Sequence, residues 1–116
     1  MAVNTNYRFR GTIANSTTKY IALTINPEDG SIGSQVSWLD ATSAAALTVE
    51  LTNYDSDDAP VDTAGAAHIW KDSGLTFTGP TGAAAGSTLI NIENVRQKRA
   101  RLKIATTANS KFEVTE

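Results

Sequence analysis

Few residues in this sequence could do chemistry, and the single histidine is the first to consider. His68 is the only histidine, and the chain has no cysteine. A zinc site needs about four nitrogen, sulfur or carboxylate ligands, and one histidine without a carboxylate pair at ligand spacing does not supply them. No G-x-S-x-G turn that could present a serine to this histidine occurs either. We therefore predict a structural or exposed role for His68, no metal or other cofactor, and no enzymatic activity.

Two further runs have some of the residues found in loops that bind calcium or phosphate. The acidic run DSDD (55–58) offers carboxylates for calcium, but a calcium loop also needs a central glycine and a glutamate at its twelfth position. A solvated loop is the favoured interpretation, with calcium binding or contact with a basic partner as alternatives. The run GPTGAAAG (79–86) has no lysine of the phosphate-loop type and no following helix, so its glycines are predicted to reverse the chain.

The densest group of charges lies in NVRQKRARLKI (94–104), which we call the basic segment. It holds half of the chain's lysines and arginines, although the formal net charge of the chain is −2. A nucleic-acid site would need a basic surplus and aromatic side chains between the cations, and both are missing, so no nucleic-acid partner is predicted. The basic segment is either a solvated strand face or a contact with an acidic protein neighbour.

A second copy of the same chain could provide that acidic neighbour. The polar stretch 53–67, rich in turn-forming residues, is predicted to be an exposed loop that carries the carboxylates. Each exposed ion pair contributes only about 0–1 kcal/mol, so such a contact would set orientation more than affinity. The predicted interface residues are Arg96, Lys98, Arg99, Arg101 and Lys103 on one side and Asp55, Asp57, Asp58 and Asp62 on the other.

Strands must position these side chains, because apolar residues alternate along most of the chain. ALTVELT (46–52) places its apolar side chains on one face and its polar side chains on the other. In ARLKIAT (100–106) the same rule puts Leu102 and Ile104 inward and Arg101 and Lys103 outward. Eight or nine short strands separated by turns predict an all-β fold: a single-domain antiparallel β-sandwich, with a jelly roll favoured.

Several local features follow from the same pattern. QVSWL and ALTVELT are predicted to be neighbouring strands, and HIWKD and LTFTG to be two short ones. Trp38, Trp70 and Phe77 are predicted core residues. ATSAAALT could open with a turn of helix capped by Asp40 or Thr42.

The length fits one domain. Residues 1–10 are predicted to form an N-terminal strand or extended arm, and residues 11–116 the sandwich domain. No signal-peptide pattern and no apolar run of membrane-spanning length is visible. We therefore predict a protein made in the cytoplasm without a membrane partner.

The stretches SWLDATSAAALTVELTN (37–53) and PVDTAGAAHIWKDSGLTFTGPTGAAAGSTLINIENVRQKRARLKI (60–104) resemble small, cysteine-free β-sandwich structural proteins of tailed bacteriophages. Such proteins decorate the head or sit on the tail. The resemblance implies a homo-oligomer, with a trimer favoured, that clamps the capsid lattice and binds the major capsid protein or other virion proteins. It also implies assembly in the host cytoplasm and location in the virion, and it transfers no functional residue.

A second similarity is to discoidin-like jelly-roll binding domains, in which a late strand alternates basic and apolar residues as ARLKI does. This similarity implies that loops at one end of the sandwich bind a glycan or another surface group. The alternative function is therefore a carbohydrate- or host-surface-binding module on a tail or fibre.

Overall fold

The computed structural model of the protein describes residues 5–39, 44–82 and 85–116. These residues form eight strands, and none of them is helical. In chain order the strands are β1 (Tyr7–Ile13), β2 (Thr18–Leu23), β3 (Ile32–Trp38), β4 (Ala45–Thr52), β5 (Lys71–Asp72), β6 (Gly86–Ile92), β7 (Arg99–Thr106) and β8 (Ser110–Thr115).

The strands form two four-stranded antiparallel sheets. The first sheet has the order β1-β8-β3-β6 and the second has the order β2-β7-β4-β5. The chain changes sheet at every connection except that between β4 and β5, and this strand order is that of an eight-stranded jelly roll. The predicted all-β antiparallel sandwich is confirmed.

The core lies between the two sheets, because every strand except the two-residue β5 turns alternate side chains inward. The largest apolar side chains that are fully buried come from five strands, β3, β4, β6, β7 and β8: Ile32, Val36, Val49, Ile90, Leu102, Ile104, Phe112 and Val114. Burial of apolar surface stabilises the folded state by about 25 cal/mol per Å², and it is the main force that holds the two sheets together. Trp38 belongs to this core as predicted, and Phe77 is half-buried against it.

Some predicted elements differ from the observed ones. QVSWL and ALTVELT are not neighbours: β3 and β4 lie in opposite sheets, because alternation fixes the face of a strand but not its partner. HIWKD contributes only the two residues of β5, and LTFTG forms only an isolated bridge between Phe77 and Leu47. The caps proposed for a helical turn, Asp40 and Thr42, lie outside the described residues, and Ala45 already begins β4.

The predicted N-terminal segment (1–10) overlaps β1 (Tyr7–Ile13), and its first four residues lie outside the described ranges. Tyr7, Phe9 and Arg10 pair with β8 of the same chain, and the register shifts at a β-bulge between Tyr7 and Phe9. Arg8 and Arg10 form ion pairs with Glu116 and Glu113, respectively, which fasten β1 to the C-terminal strand. These residues are thus an edge strand of the sandwich itself.

The run NPEDG (26–30) forms the turn between β2 and β3. Gly30 has a φ of 70°, and its carbonyl accepts the N–H of Val95 at 2.9 Å. Asp29 accepts the N–H of Ser31 at 3.0 Å, and hydrogen bonding to Ser31 lowers the pKa of the Asp29 carboxyl. The turn therefore touches the start of the basic segment.

Candidate interaction surface on the arginine-held loop

The β4–β5 loop (residues 53–70) folds back over the outer face of the second sheet, and Arg101 holds it there. Arg101 projects from β7 away from the core, yet only 1% of the residue is exposed. Its Nε donates to Glu50 Oε1 at 2.8 Å, across the strand pair β4–β7. Its Nη1 donates to the carbonyls of Val61, at 3.0 Å, and Thr63, and Nη2 donates to that of Ala64 at 3.4 Å.

Two aromatic rings complete the enclosure of this guanidinium. The Arg101 Cζ lies 3.9 Å from the ring centroid of Tyr20 and 4.2 Å from that of Trp70. Arg99 lies against the same Trp70 ring at 5.3 Å and donates from Nη1 to the carbonyl of Ala59 at 2.6 Å. Arg99 and Arg101, both in the basic segment, therefore bind the loop of their own chain and fix the path of residues 59–64.

The predicted role of Arg101 as an exposed interface residue is wrong for this chain. Alternation correctly places the side chain on the face opposite Leu102, but the β4–β5 loop covers that face. The guanidinium is enclosed by Glu50, three loop carbonyls and two rings, so it has no free surface to offer a neighbour. Glu50 is the one partner that the sequence could have indicated, since it is an outward acid on a neighbouring strand.

Trp70 is buried as predicted, but it packs outside the main core, against the two arginines. Its Nε1 is buried and has no hydrogen-bond partner among the described residues. The groups stacked on the indole ring are guanidiniums, which only donate hydrogen bonds. An orphaned buried donor costs about 1–3 kcal/mol, which the packing of the ring must offset.

The remaining predicted interface residues lie at the surface to different degrees. Arg96 and Lys98 are exposed, whereas Arg99 and Lys103 are half-buried. All four predicted carboxylates, Asp55, Asp57, Asp58 and Asp62, are exposed. Within the described ranges, no ion pair joins these carboxylates to the cations of the basic segment.

The acidic loop and the basic segment begin side by side in one chain. The N–H of Lys98 donates to the carbonyl of Thr52 at 3.1 Å and to Asn53 Oδ1 at 3.3 Å. Within the loop, Asp55 Oδ1 accepts the N–H groups of Asp57, at 3.2 Å, and Asp58, at 3.3 Å. The carboxylate of Asp55 therefore shapes the turn, while those of Asp57 and Asp58 point at solvent.

A hollow of about 450 Å³ opens beside this surface, at the end of β4. Its lining includes a ring pair, Tyr54 and His68, whose centroids are 6.1 Å apart with an interplanar angle of 72°. The polar and charged residues that line it are Thr52, Asn53, Tyr54, His68, Lys71, Asp72, Ser73 and Gln97. His68 is exposed, and nothing in the sequence placed it beside Asn53, Tyr54 and Gln97, because these residues come from two other parts of the chain.

Neither a metal centre nor a membrane-crossing helix is found in the part of the chain that the structure describes. No group of three or more histidine and acidic side chains in residues 5–39, 44–82 and 85–116 could hold a metal ion. No helix in those ranges is long and apolar enough to cross a membrane. The loop carboxylates of DSDD thus form no such group there.

No protein-family model matches the sequence, and no curated protein or solved structure matches it with a significant score.

Proposed function

We propose that this chain is a non-enzymatic structural protein of a bacteriophage virion, a head decoration or cement protein that oligomerises and stabilises the capsid lattice. The jelly-roll strand order supports this proposal, because the fold is common among viral capsid domains. The proposal also rests on the sequence resemblance to phage structural proteins. Its partners would be further copies of the chain, as a trimer, and the major capsid protein or other virion proteins.

The observation that carries the proposal is a surface with cations and anions that do not pair with each other within the described chain. Arg96 and Lys98 are exposed cations, Asp57 and Asp58 are exposed anions, and no ion pair within the described chain joins them. Charges left unpaired in one chain can be paired by the next copy, which steers association and fixes its register. The loop that carries the anions is held by partly buried hydrogen bonds from Arg99 and Arg101, so its shape is fixed before it meets a partner.

Repetition is what would make such contacts strong enough to matter. An isolated exposed ion pair contributes only about 0–1 kcal/mol. Copies bound around one capsomer joint engage the lattice at several points, so each further contact forms at a high effective concentration. Binding to the assembled lattice and not to the free capsid protein would then stabilise the lattice by mass action.

Charge reversal tests the assembly step directly. We expect light scattering after size exclusion to show a trimer, and we expect the double variant K98E/R96E or the double variant D57K/D58K to shift it toward monomer. The quadruple variant combining both reversals restores complementary charges and should recover the oligomer. Asp55 is left unchanged because it holds the turn.

A monomeric wild-type chain would contradict the assembly proposal, and so would charge reversals without effect on the oligomer. A dimer would contradict the trimer.

Particles test the virion role. Phage particles that lack the protein should adsorb normally but break more readily on heating or osmotic shock. Sturdy particles that adsorb poorly would contradict the cement role and favour the host-surface-binding alternative.

A further inference from the structure

The hollow beside the β4–β5 loop has the chemistry of a ligand site that the assembly role does not use. We propose that it binds a neutral sugar ring, with the ring of Tyr54 as the apolar contact and side chains around it as hydrogen-bond partners. Its volume of about 450 Å³ falls within the range typical of small-molecule sites. This inference is independent of the proposed virion role.

The walls of the hollow are fixed before any ligand arrives. Thr52 Oγ1 donates to the carbonyl of Ile69 at 2.7 Å and accepts the N–H of Tyr54 at 3.1 Å. This hydroxyl therefore ties both ends of the β4–β5 loop together at the lip of the hollow. Arg99 and Arg101 hold the middle of the same loop, so binding requires little ordering of the protein.

Several polar groups of the residues that line the hollow make no hydrogen bond within the described chain. Asn53 uses its Oδ1 for the N–H of Lys98, and Asp72 uses its Oδ1 for the N–H of Gly74 at 2.8 Å. In the described part of the chain, no hydrogen bond or ion pair occupies the Asn53 amide N–H groups, the second Asp72 oxygen or the Gln97 amide. Amides and a carboxylate supply both the donors and the acceptors that adjacent sugar hydroxyls require.

The aromatic contact distinguishes a sugar from a fully polar ligand. Tyr54 is 41% exposed, and His68 meets it edge-on, which supports the tyrosine ring at an angle instead of covering it by stacking. The C–H groups on one face of a pyranose ring can pack on such an exposed ring while its hydroxyls reach the amides. Lys71 and Asp72 bring one positive and one negative charge to the lining, which favours a neutral ligand over a phosphate or sulfate.

The test uses the whole chain labelled with ¹⁵N and a panel of neutral methyl glycosides: glucoside, galactoside, mannoside and N-acetylglucosaminide. We expect at least one of them to shift the amide resonances of Asn53, Tyr54, Asp72 and Gln97 in a saturable manner. Tyr54→Ala should weaken this binding by about tenfold or more, because the ring contact is lost. Tyr54→Phe, which keeps the ring, should retain most of it.

A matched control comes from the first sheet. Tyr7 is 42% exposed, nearly the same as Tyr54, but it lies on β1, so Tyr7→Ala should leave sugar binding unchanged. Unchanged oligomeric mass in Tyr54→Ala would separate this site from the assembly surface. The inference is overturned if no glycoside shifts the residues of the hollow, if Tyr54→Ala binds as the wild type does, or if inorganic phosphate or sulfate competes for the same residues.

Discussion

Arg101 is the residue on which the shape of the interaction surface depends, and its replacement is the sharpest test at the residue scale. Arg101→Met keeps an unbranched side chain but removes the guanidinium, so Glu50 and three loop carbonyls lose their partner. Removing one member of a buried ion pair costs about 3–5 kcal/mol, so we expect a loss of this size in the free energy of unfolding measured with urea. Hydrogen exchange should also accelerate at residues 61–64.

Two further variants separate the buried pair from a general effect of the substitution. Lys103→Met, on the same face of β7 but only half-buried, should change the free energy of unfolding by less than about 0.5–1 kcal/mol. Arg101→Met combined with Glu50→Gln should lose less than the sum of the two single changes, since the pair is removed together. An Arg101→Met variant as stable as the Lys103→Met variant would show that the guanidinium does not hold the loop.

At the element scale, the sequence predicted the strands much better than the segments between them. Strands such as β4 and β7 carry their own signal, because burial of one face imposes a two-residue alternation that can be read directly. The path of the β4–β5 loop has no such signal. The loop is held through its backbone carbonyls, which every residue has. The side chains of residues 59–64 therefore do not indicate that this segment binds Arg101.

Alanine substitutions at two glycines, one of them in the turn between β2 and β3, separate the effect of steric overlap on stability from the effect of backbone conformation. Gly30 and Gly65 have nearly equal positive φ values, 70° and 69°. A Cβ at Gly30 would lie 2.6 Å from the carbonyl oxygen of Val95, whereas a Cβ at Gly65 would meet nothing within 4 Å. The strain of a left-handed alanine, about 1–2 kcal/mol, is common to both substitutions.

We therefore expect Gly30→Ala to lower the free energy of unfolding by about 1–3 kcal/mol more than Gly65→Ala does, because only Gly30→Ala also forces a steric overlap. Urea unfolding of the two variants under one set of conditions measures the difference. Equal losses would mean that the contact between this turn and the start of the basic segment can shift at little cost.

At the scale of the whole molecule, the two sheets have different outer faces. The second sheet is covered by the chain's own loop, while the first presents polar side chains and the exposed Leu89 of β6. The fold class followed from alternation and strand count. The surface did not, because it depends on which strands become neighbours and on which segment folds over them. This is why Arg101, predicted as a surface cation, is enclosed, whereas Lys98, only a few residues earlier, is exposed.

The proposed oligomer and the internal loop anchor should respond differently to salt, which gives a prediction for the whole assembly. Exposed charges are screened over about 10 Å at 0.1 M and about 3 Å at 1 M ionic strength, while enclosed pairs are screened much less. Light scattering should therefore show dissociation of the oligomer between 0.05 and 1 M sodium chloride, on the order of the ionic strengths at which screening sets in. Hydrogen exchange at residues 61–64, anchored by the enclosed Arg101, should stay unchanged. Association that strengthens with salt would instead assign the contact to apolar surface such as Leu89, because salt does not weaken apolar burial as it weakens exposed ion pairs.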